Sequence, residues 1–343
     1  MICVTEIGYL VCTPETTIVA ALNRLNNERS HVFQIVLDAE SRVIGTVTDG
    51  DVRRAMLSGV TLEDRVDKCM NGAPIVGRVG DNAANRSKMR KAGFLPIVDA
   101  NGCIREVYIQ AHAPLSVRAL VMAGGFGTRL GEQTREVPKP LLPVGKRPIL
   151  DRLLCQLEDD GITDITVAVH YRADQVEAFL AERNNCAAIA IIREPEPLGT
   201  AGALALIPQV SDAMTIIVNG DVVSRVSFAH LRNFHAEHNH DGTVAVSRHN
   251  VHIPFGVLRL DKDGLFSGIE EKPTNSYFVA AGIYILSPEF VALTARGRSV
   301  DMPELLEAGR HEGLRVGLFP LHEYWRDVGR PDDLAMANAE NGA

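Results

Sequence analysis

The sequence predicts an α/β protein: a mostly parallel, mixed sheet covered on both faces by helices, preceded by a smaller α+β unit. Three observations carry this prediction. From residue 118 onward, short apolar runs alternate with helix-patterned segments, which is how β-α-β units read. Residues 1 to 115 instead repeat one helix–strand–turn–strand pattern. The chain has 343 residues, 46% hydrophobic and 23% charged, a globular composition with length for about two domains.

The N-terminal repeat is visible when "VLDAESRVIGTVTDGD" (36–51) is set against "IVDANGCIREVYIQAH" (97–112). Each copy has two apolar residues, Asp-Ala, a polar turn and a second apolar run, a β-hairpin pattern. A helix is expected before the first copy, where Ile18, Ala21, Leu22 and Leu25 are spaced for one face. "NRSKMRKAGFLP" takes the matching place before the second. The two copies are expected to pack on one another. "QAHAPLSV" (Gln110–Val117) is short, rich in small residues and carries Pro114, so the boundary falls there, dividing 1–115 from 116–343.

In the second unit "ALVMA" reads as a strand, "PILDRLLCQLEDDG" as a helix and "DITVAVHY" as a strand. "ADQVEAFLAER" reads as a helix, "AIAII" as a strand, "LGTAGALALI" as the start of a helix and "MTIIVNGD" as a strand. Ligands of such sheets bind beyond the carboxyl ends of the strands, and the conspicuous loops follow strands. Gly124, Gly125 and Gly127 follow "ALVMA". Glycines let backbone N–H groups turn toward an anion. Arg129 adds a planar cationic fork, and Lys139 follows between Pro138 and Pro140. Together they suit a polyphosphate. The loop is neither a Walker A sequence nor a dinucleotide fingerprint.

The string "MAGGFGTRL…PKPLLPVG" resembles the signature of sugar-1-phosphate nucleotidylyltransferases, and "EPEPLGTAGAL" resembles their guanylyltransferases. The resemblance covers residues 118 to about 340 and implies a Rossmann-like nucleotidyltransferase domain. It implies nucleotide binding by Ala123, Gly124, Gly125, Gly127 and Thr128, with Glu194, Gly199 and Gly202 near the base. Arg129 would hold the leaving pyrophosphate and Lys139 would neutralise phosphate charge. Asp221 in "VNGDVV" and Asp327 in "WRDVGRPDD" would bind catalytic Mg²⁺. Lys272 of "EEKP" would hold the acceptor phosphate and Glu271 the sugar hydroxyls, with the backbone of Gly256 and Gly282 approaching the sugar. The implied reaction joins a nucleoside triphosphate, GTP first, to glucosamine, heptose or mannose 1-phosphate. A uridylyl- or thymidylyltransferase, or a non-catalytic sensor of the same fold, is the alternative.

The N-terminal repeat resembles a CBS domain pair, a regulatory module. "GTVTDGD" matches its nucleotide-contacting motif, which implies that Thr48 meets a phosphate and Asp51 a ribose of an adenine or guanine nucleotide. The same residues read equally well as a polar turn capping the next helix. The second copy departs, with Glu106, Ile109 and His112 standing where Gly45, Thr48 and Asp51 stand in the first. Such pairs imply a homo-oligomer. A CBS pair ahead of this domain also resembles the guanylyltransferases of surface-glycan and nonulosonic-acid synthesis.

Net charge is −8, which gives no electrostatic basis for binding nucleic acid. No run of ~18 apolar residues suggests a membrane span, and "MICVTEIGYLVCTPE" does not read as a signal peptide. Cys3, Cys12, Cys69, Cys103, Cys155 and Cys186 form no C-x-x-C pair, so a reducing, cytoplasmic setting is expected. "HAEHNH", with His235, His238 and His240, reads as a solvated helix end rather than a zinc site.

Overall fold

The computed structural model describes residues 2–27, 33–89, 92–110, 116–183, 187–208, 213–295 and 297–341. It divides into two compact units, Met1–Leu115 and Ser116–Ala343. Within the expected boundary segment, residues 111–115, and with them His112 and Pro114, lie outside the described residues, as does Cys186.

The N-terminal unit contains β1 (Ile2–Val4), β2 (Val11–Cys12), α1 (Ile18–Asn27), β3 (Phe33–Leu37), β4 (Val43–Thr48) and α2 (Asp49–Leu57). It continues with β5 (Gly77–Arg78), α3 (Asn82–Met89), β6 (Phe94–Val98) and β7 (Ile104–Ile109). These strands form two sheets, ordered β2-β3-β4 and β1-β7-β6-β5. The repeat persists at the level of register. Phe33 pairs with Thr48 and Val36 with Gly45 in the first hairpin; Phe94 pairs with Ile109 and Ile97 with Glu106 in the second. The two turns interlock, because Val43 N–H donates to the Gly102 carbonyl and Ile104 N–H to the Ser41 carbonyl. The equivalent residues Phe33 and Phe94 stack on each other, with ring centroids 3.7 Å apart. Ile18, Ala21 and Leu22 of α1 are buried as their spacing requires; the Leu25 side chain lies outside the described residues.

The C-terminal unit begins with β8 (Val117–Met122), α4 (Gln133–Glu136), β9 (Pro143–Val144), β10 (Arg147–Pro148) and α5 (Ile149–Asp159). There follow β11 (Asp164–Val169), α6 (Ala173–Glu182), β12 (Ala188–Arg193), β13 (Met214–Asn219), β14 (Val222–Ser224) and α7 (Phe228–Glu237). Next come β15 (Gly242–His252), β16 (Gly256–Leu260), β17 (Phe266–Glu271) and β18 (Thr274–Leu286). The unit closes with α8 (Pro288–Ala292), α9 (Met302–His311), β19 (Val316–Pro320), β20 (Trp325–Asp327) and α10 (Pro331–Asn341).

The main sheet has seven strands in the order β12-β11-β8-β13-β18-β15-β19. β12, β11, β8 and β13 run parallel, β18 is antiparallel to both its neighbours, and β15 pairs parallel with β19. The mixed, mostly parallel sheet is thus present. Its central strands β8, β11 and β13 are mostly apolar because both faces are covered. Ala119 and Val121 face the core built with Leu150, Leu153, Leu154 and Leu157 of α5, whereas Leu120 faces the core with Leu204, Phe290 and Leu305. Each fully buried leucine contributes roughly 1.5–3 kcal/mol relative to an exposed one. β8 has β11 on one side and β13 on the other, so the chain reverses direction across the sheet at β8. That is where a crevice opens in doubly wound folds.

Two local readings are corrected. "LGTAGALALI" does not start an α-helix; it makes a single 3₁₀ turn, Gly202–Ala205. Its backbone is diverted into bonds with the 300s, Ala201 N–H to the Val300 carbonyl and Val300 N–H to the Leu198 carbonyl. The histidine segment is not a solvated helix end. His235 is 3% exposed, and both His235 and His240 place Nδ1 against Thr243 Oγ1, at 2.9 and 3.2 Å. Gly317 of β19 opens the space, since a Cβ there would stand 1.9 Å from the His240 ring. Burial pushes the His235 imidazole down to about 4. Among the described residues, no group of three or more His, Cys, Asp or Glu is arranged to hold a metal, and no helix is long and apolar enough to cross a membrane.

Candidate active site

The loop after β8 lies at the crevice. Ala123 is buried, and its N–H donates to the Ala168 carbonyl of β11. Gly124 is closed in: a Cβ there would lie 3.1 Å from His170 and 3.3 Å from Glu194 Oε1. Gly125 has open space beside it. Gly127 has φ +65°, and its Cβ side abuts Thr134 and Lys139, so only glycine suits the turn. Thr128 and Arg129 are exposed in the 3₁₀ turn that follows.

Lys139 is placed by its own short 3₁₀ turn, which Pro138 enters at φ −64°. It is only 6% exposed. Its ammonium forms an ion pair with Asp221 Oδ2 and stands 3.8 Å from Asp327 Oδ1. The two aspartates meet through a small ribbon. β14 pairs antiparallel with β20, Val222 opposite Asp327, and Val328 N–H donates to the Asp221 carbonyl. Trp325 anchors β20 by donating from Nε1 to the Ala281 carbonyl at 2.7 Å.

The arrangement leaves buried oxygens without hydrogen bonds. Among the described residues Asp221 Oδ1 and Asn219 Oδ1 are hidden from solvent and accept none, and Asp327 Oδ1, also hidden, only faces the Lys139 ammonium at 3.8 Å. Orphaned carboxylate oxygens are costly unless a cation or donor meets them. Burial and the Asp221 charge push the Asp327 carboxyl above its ordinary range, and Lys139 and Arg129 oppose that shift. Two carboxylates with buried, unbonded oxygens beside a glycine loop fit Mg²⁺, which takes few protein ligands and completes its shell with phosphate and water.

Arg129 makes no side-chain hydrogen bond or ion pair among the described residues. Its guanidinium and Asp327 both flank Gly329, each 3.5 Å from where a Cβ there would sit. Glu194 is buried at the end of β12, its Oε2 accepting from Leu198 N–H at 3.1 Å, and burial raises its carboxyl. The missing side chains of Gly199 and Gly202 are explained locally. The Cβ of the first would strike the Val300 carbonyl and that of the second the Leu198 Cβ, with the Arg298 carbonyl 3.1 Å away.

Gly282, at φ +71°, belongs beside the aspartates: its Cβ would lie 2.8 Å from Asn219 Nδ2. Gly256, Glu271 and Lys272 stand apart on the exposed β16–β17 hairpin and its foot. No side-chain hydrogen bond or ion pair joins Glu271 or Lys272 to the Lys139 cluster among the described residues. Lys272 holds the left-handed conformation, φ +47°, rare for a residue with a side chain. In the N-terminal unit Thr48 and Asp51 form a capping box on α2, and Arg54 takes the remaining Asp51 oxygen. Sequence reasoning missed Asn219, and also His170 and Phe126, whose rings meet edge to face at 5.7 Å beside Gly124. For His170 and Phe126, a position in the loops after β11 and β8 was the available signal.

A largely parallel sheet with a glycine loop, a buried lysine and paired aspartates at one end defines a nucleotide-handling α/β protein. Residues 118–342 match the family model described as nucleotidyl transferase, and the chain belongs to that family. Residues 4–58 match the CBS domain model, which covers the first repeat. The mannose-1-phosphate guanylyltransferase catalytic subunit beta of Drosophila melanogaster is 34% identical over 224 residues, covering 63% of this chain and 60% of its own. The mannose-1-phosphate guanyltransferase of Candida albicans is 34% identical over 230 residues, covering 63% and 62%. This chain therefore spans about three fifths of the length of those relatives. Among solved structures, HddC from Yersinia pseudotuberculosis is 25% identical and covers 65% of this chain and 99% of its own, with a TM-score of 0.51.

Proposed function

We propose that residues 116–343 transfer a nucleotidyl group, GMP from GTP in the first instance, to a sugar 1-phosphate, releasing pyrophosphate. The observation that carries the reading is the buried Lys139 between two aspartates, with Asp221 Oδ1 and Asp327 Oδ1 buried and accepting no hydrogen bond among the described residues. Mannose 1-phosphate is the first acceptor to test, since the curated relatives named above carry that name; glucosamine and heptose 1-phosphates follow. The CBS arrangement favours a product used in surface-glycan or nonulosonic-acid synthesis.

The acceptor phosphate oxygen attacks the α-phosphorus; the new P–O bond forms as the bond to the bridging oxygen breaks, and pyrophosphate leaves with that electron pair. The nucleophile is already an anion, so the residues position and neutralise rather than remove a proton. Asp221 and Asp327 would hold Mg²⁺, which would supply positive charge to offset that of the phosphates. Arg129, without a side-chain hydrogen bond or ion pair among the described residues, binds the leaving pyrophosphate. Lys139 neutralises charge growing around the α-phosphate. Lys272 and Glu271 take the acceptor phosphate and sugar hydroxyls from the hairpin foot. Glu194 suits a base with an exocyclic amine donor, guanine among them, over uracil or thymine, because it places a buried carboxylate beside the loop. At the N-terminal unit, a nucleotide would have to displace the Thr48–Asp51 cap to use those side chains.

Pyrophosphate release with Mg²⁺, over five nucleoside triphosphates and several sugar 1-phosphates, tests the reading. Turnover confined to GTP supports it. Turnover confined to UTP or dTTP moves the base assignment, and a blank grid with nucleotide still bound points to a sensor.

A further inference from the structure

The β16–β17 hairpin stands off the main sheet as its own two-stranded sheet. It prolongs the β15–β18 ladder: after His252 opposite Thr274, Ile253 N–H donates to the Pro273 carbonyl and Lys272 N–H to the Phe255 carbonyl. The hairpin is amphipathic. Leu258 pairs with Ile269 and Leu260 with Phe266 across the strands. A register shift beside Leu260 leaves Ser267 as the extra residue, which keeps Phe266 and Ile269 on one face despite their odd spacing. The other face carries Arg259, ion-paired to Glu270 at 2.6 Å. That is a face built for water backing a face built for burial.

The apolar face is not buried. Leu258, Leu260, Phe266 and Ile269 are 61%, 66%, 65% and 58% exposed, and none belongs to the unit's three buried apolar clusters. An isolated two-stranded hairpin is marginal at best in water, so this one needs a cover. We propose that the cover is the same face of a second copy, packed about a two-fold axis. An isologous contact asks only that the patch complement itself. Two rows of apolar pairs, free of charge, do so when the Leu258–Ile269 row of one chain lies over the Leu260–Phe266 row of the other. The four side chains offer roughly 500 Å² per chain, so a symmetric pair buries about 1,000 Å² from them alone, where specific interfaces begin. The contact would also steady Glu271 and Lys272 at the hairpin foot, and it does not depend on which reaction the unit performs.

Sedimentation velocity of the full chain, from about 1 to 100 µM, tests the contact. The wild-type chain should dimerise across that range. Leu258→Arg combined with Phe266→Arg puts like charges across the axis and should weaken dimerisation by at least ~100-fold. Arg259→Gln, on the water-facing side, should leave it unchanged. If the arginines disturb the hairpin by circular dichroism, Leu258→Ser with Phe266→Ser removes area without charge and should still weaken dimerisation about tenfold. A wild-type chain monomeric at 100 µM overturns the proposal. So does a dimer that survives both double substitutions, which would place the contact elsewhere.

Discussion

Lys139 and Asp221 are ion-paired in the C-terminal unit, and the pairing uses only one oxygen of the carboxylate; the other is buried without a hydrogen bond. Asp221→Asn keeps the shape and removes the charge. Pyrophosphate release should fall by about 10²–10³ or more, and Mn²⁺ binding followed by electron paramagnetic resonance should weaken with it. An unchanged circular dichroism spectrum would show that the loss is chemical. Near-normal turnover, or Mn²⁺ affinity equal to wild type, would remove Asp221 from the metal site.

Lys139→Met leaves Asp221 and Asp327 facing each other without their cation. Asp327 is already raised by burial and by Asp221, and Lys139 lowers it. Removing the ammonium raises it further, so the ionised form that binds metal appears only at higher pH. The acid limb of the kcat profile should therefore move upward, besides an overall loss. A profile scaled down but not displaced would contradict the coupling.

His235 should make the unit acid-sensitive. Its folded value of about 4 lies below the ordinary 6.5 because burial disfavours the charged ring. The unfolded chain binds the proton first, so this contribution is complete above pH ~6.5 and is lost as pH falls toward 4, amounting to about 3 kcal/mol. Urea unfolding at pH 7.5 and 5 should show it, and His235→Phe should flatten the difference.

Gly282→Ala should be harmful on two counts. The residue holds φ +71°, and the added Cβ would press on Asn219. Roughly 1–2 kcal/mol of stability should be lost, with an increase in KM for the sugar phosphate that a neutral surface substitution such as Lys262→Ala lacks. Wild-type KM in the folded variant would detach Gly282 from the acceptor site.

Thr48→Val removes the cap of α2 and should cost about 1 kcal/mol. Thermal shift with adenine and guanine nucleotides would then separate two roles. If Thr48 only caps, wild type and variant shift alike on adding nucleotide. If it also contacts phosphate, the shift disappears in the variant.

Much of this was legible because each feature had a local cause. The runs of β8, β11 and β13 are mostly apolar since both faces are covered. Gly127 is a glycine because its backbone is left-handed and packed against Lys139. Other features depend on partners distant in sequence. Nothing local in the sequence shows that the Val300 and Arg298 carbonyls occupy the Cβ sides of Gly199 and Gly202. His235 looks solvated until Gly317 makes room for its neighbour. Asn219 carries no pattern of its own; only the fold shows that its oxygen is orphaned beside Asp221 and Asp327.

The β14–β20 ribbon ties Asp221 to a residue made much later in synthesis. As the chain leaves the ribosome, the parallel strands and the glycine loop emerge well before Asp327. A nascent chain can thus form the glycine loop before Asp327 exists. On the proposed reading turnover would wait for β20 to pair with β14, so the order in which residues appear would hold a partly made chain silent.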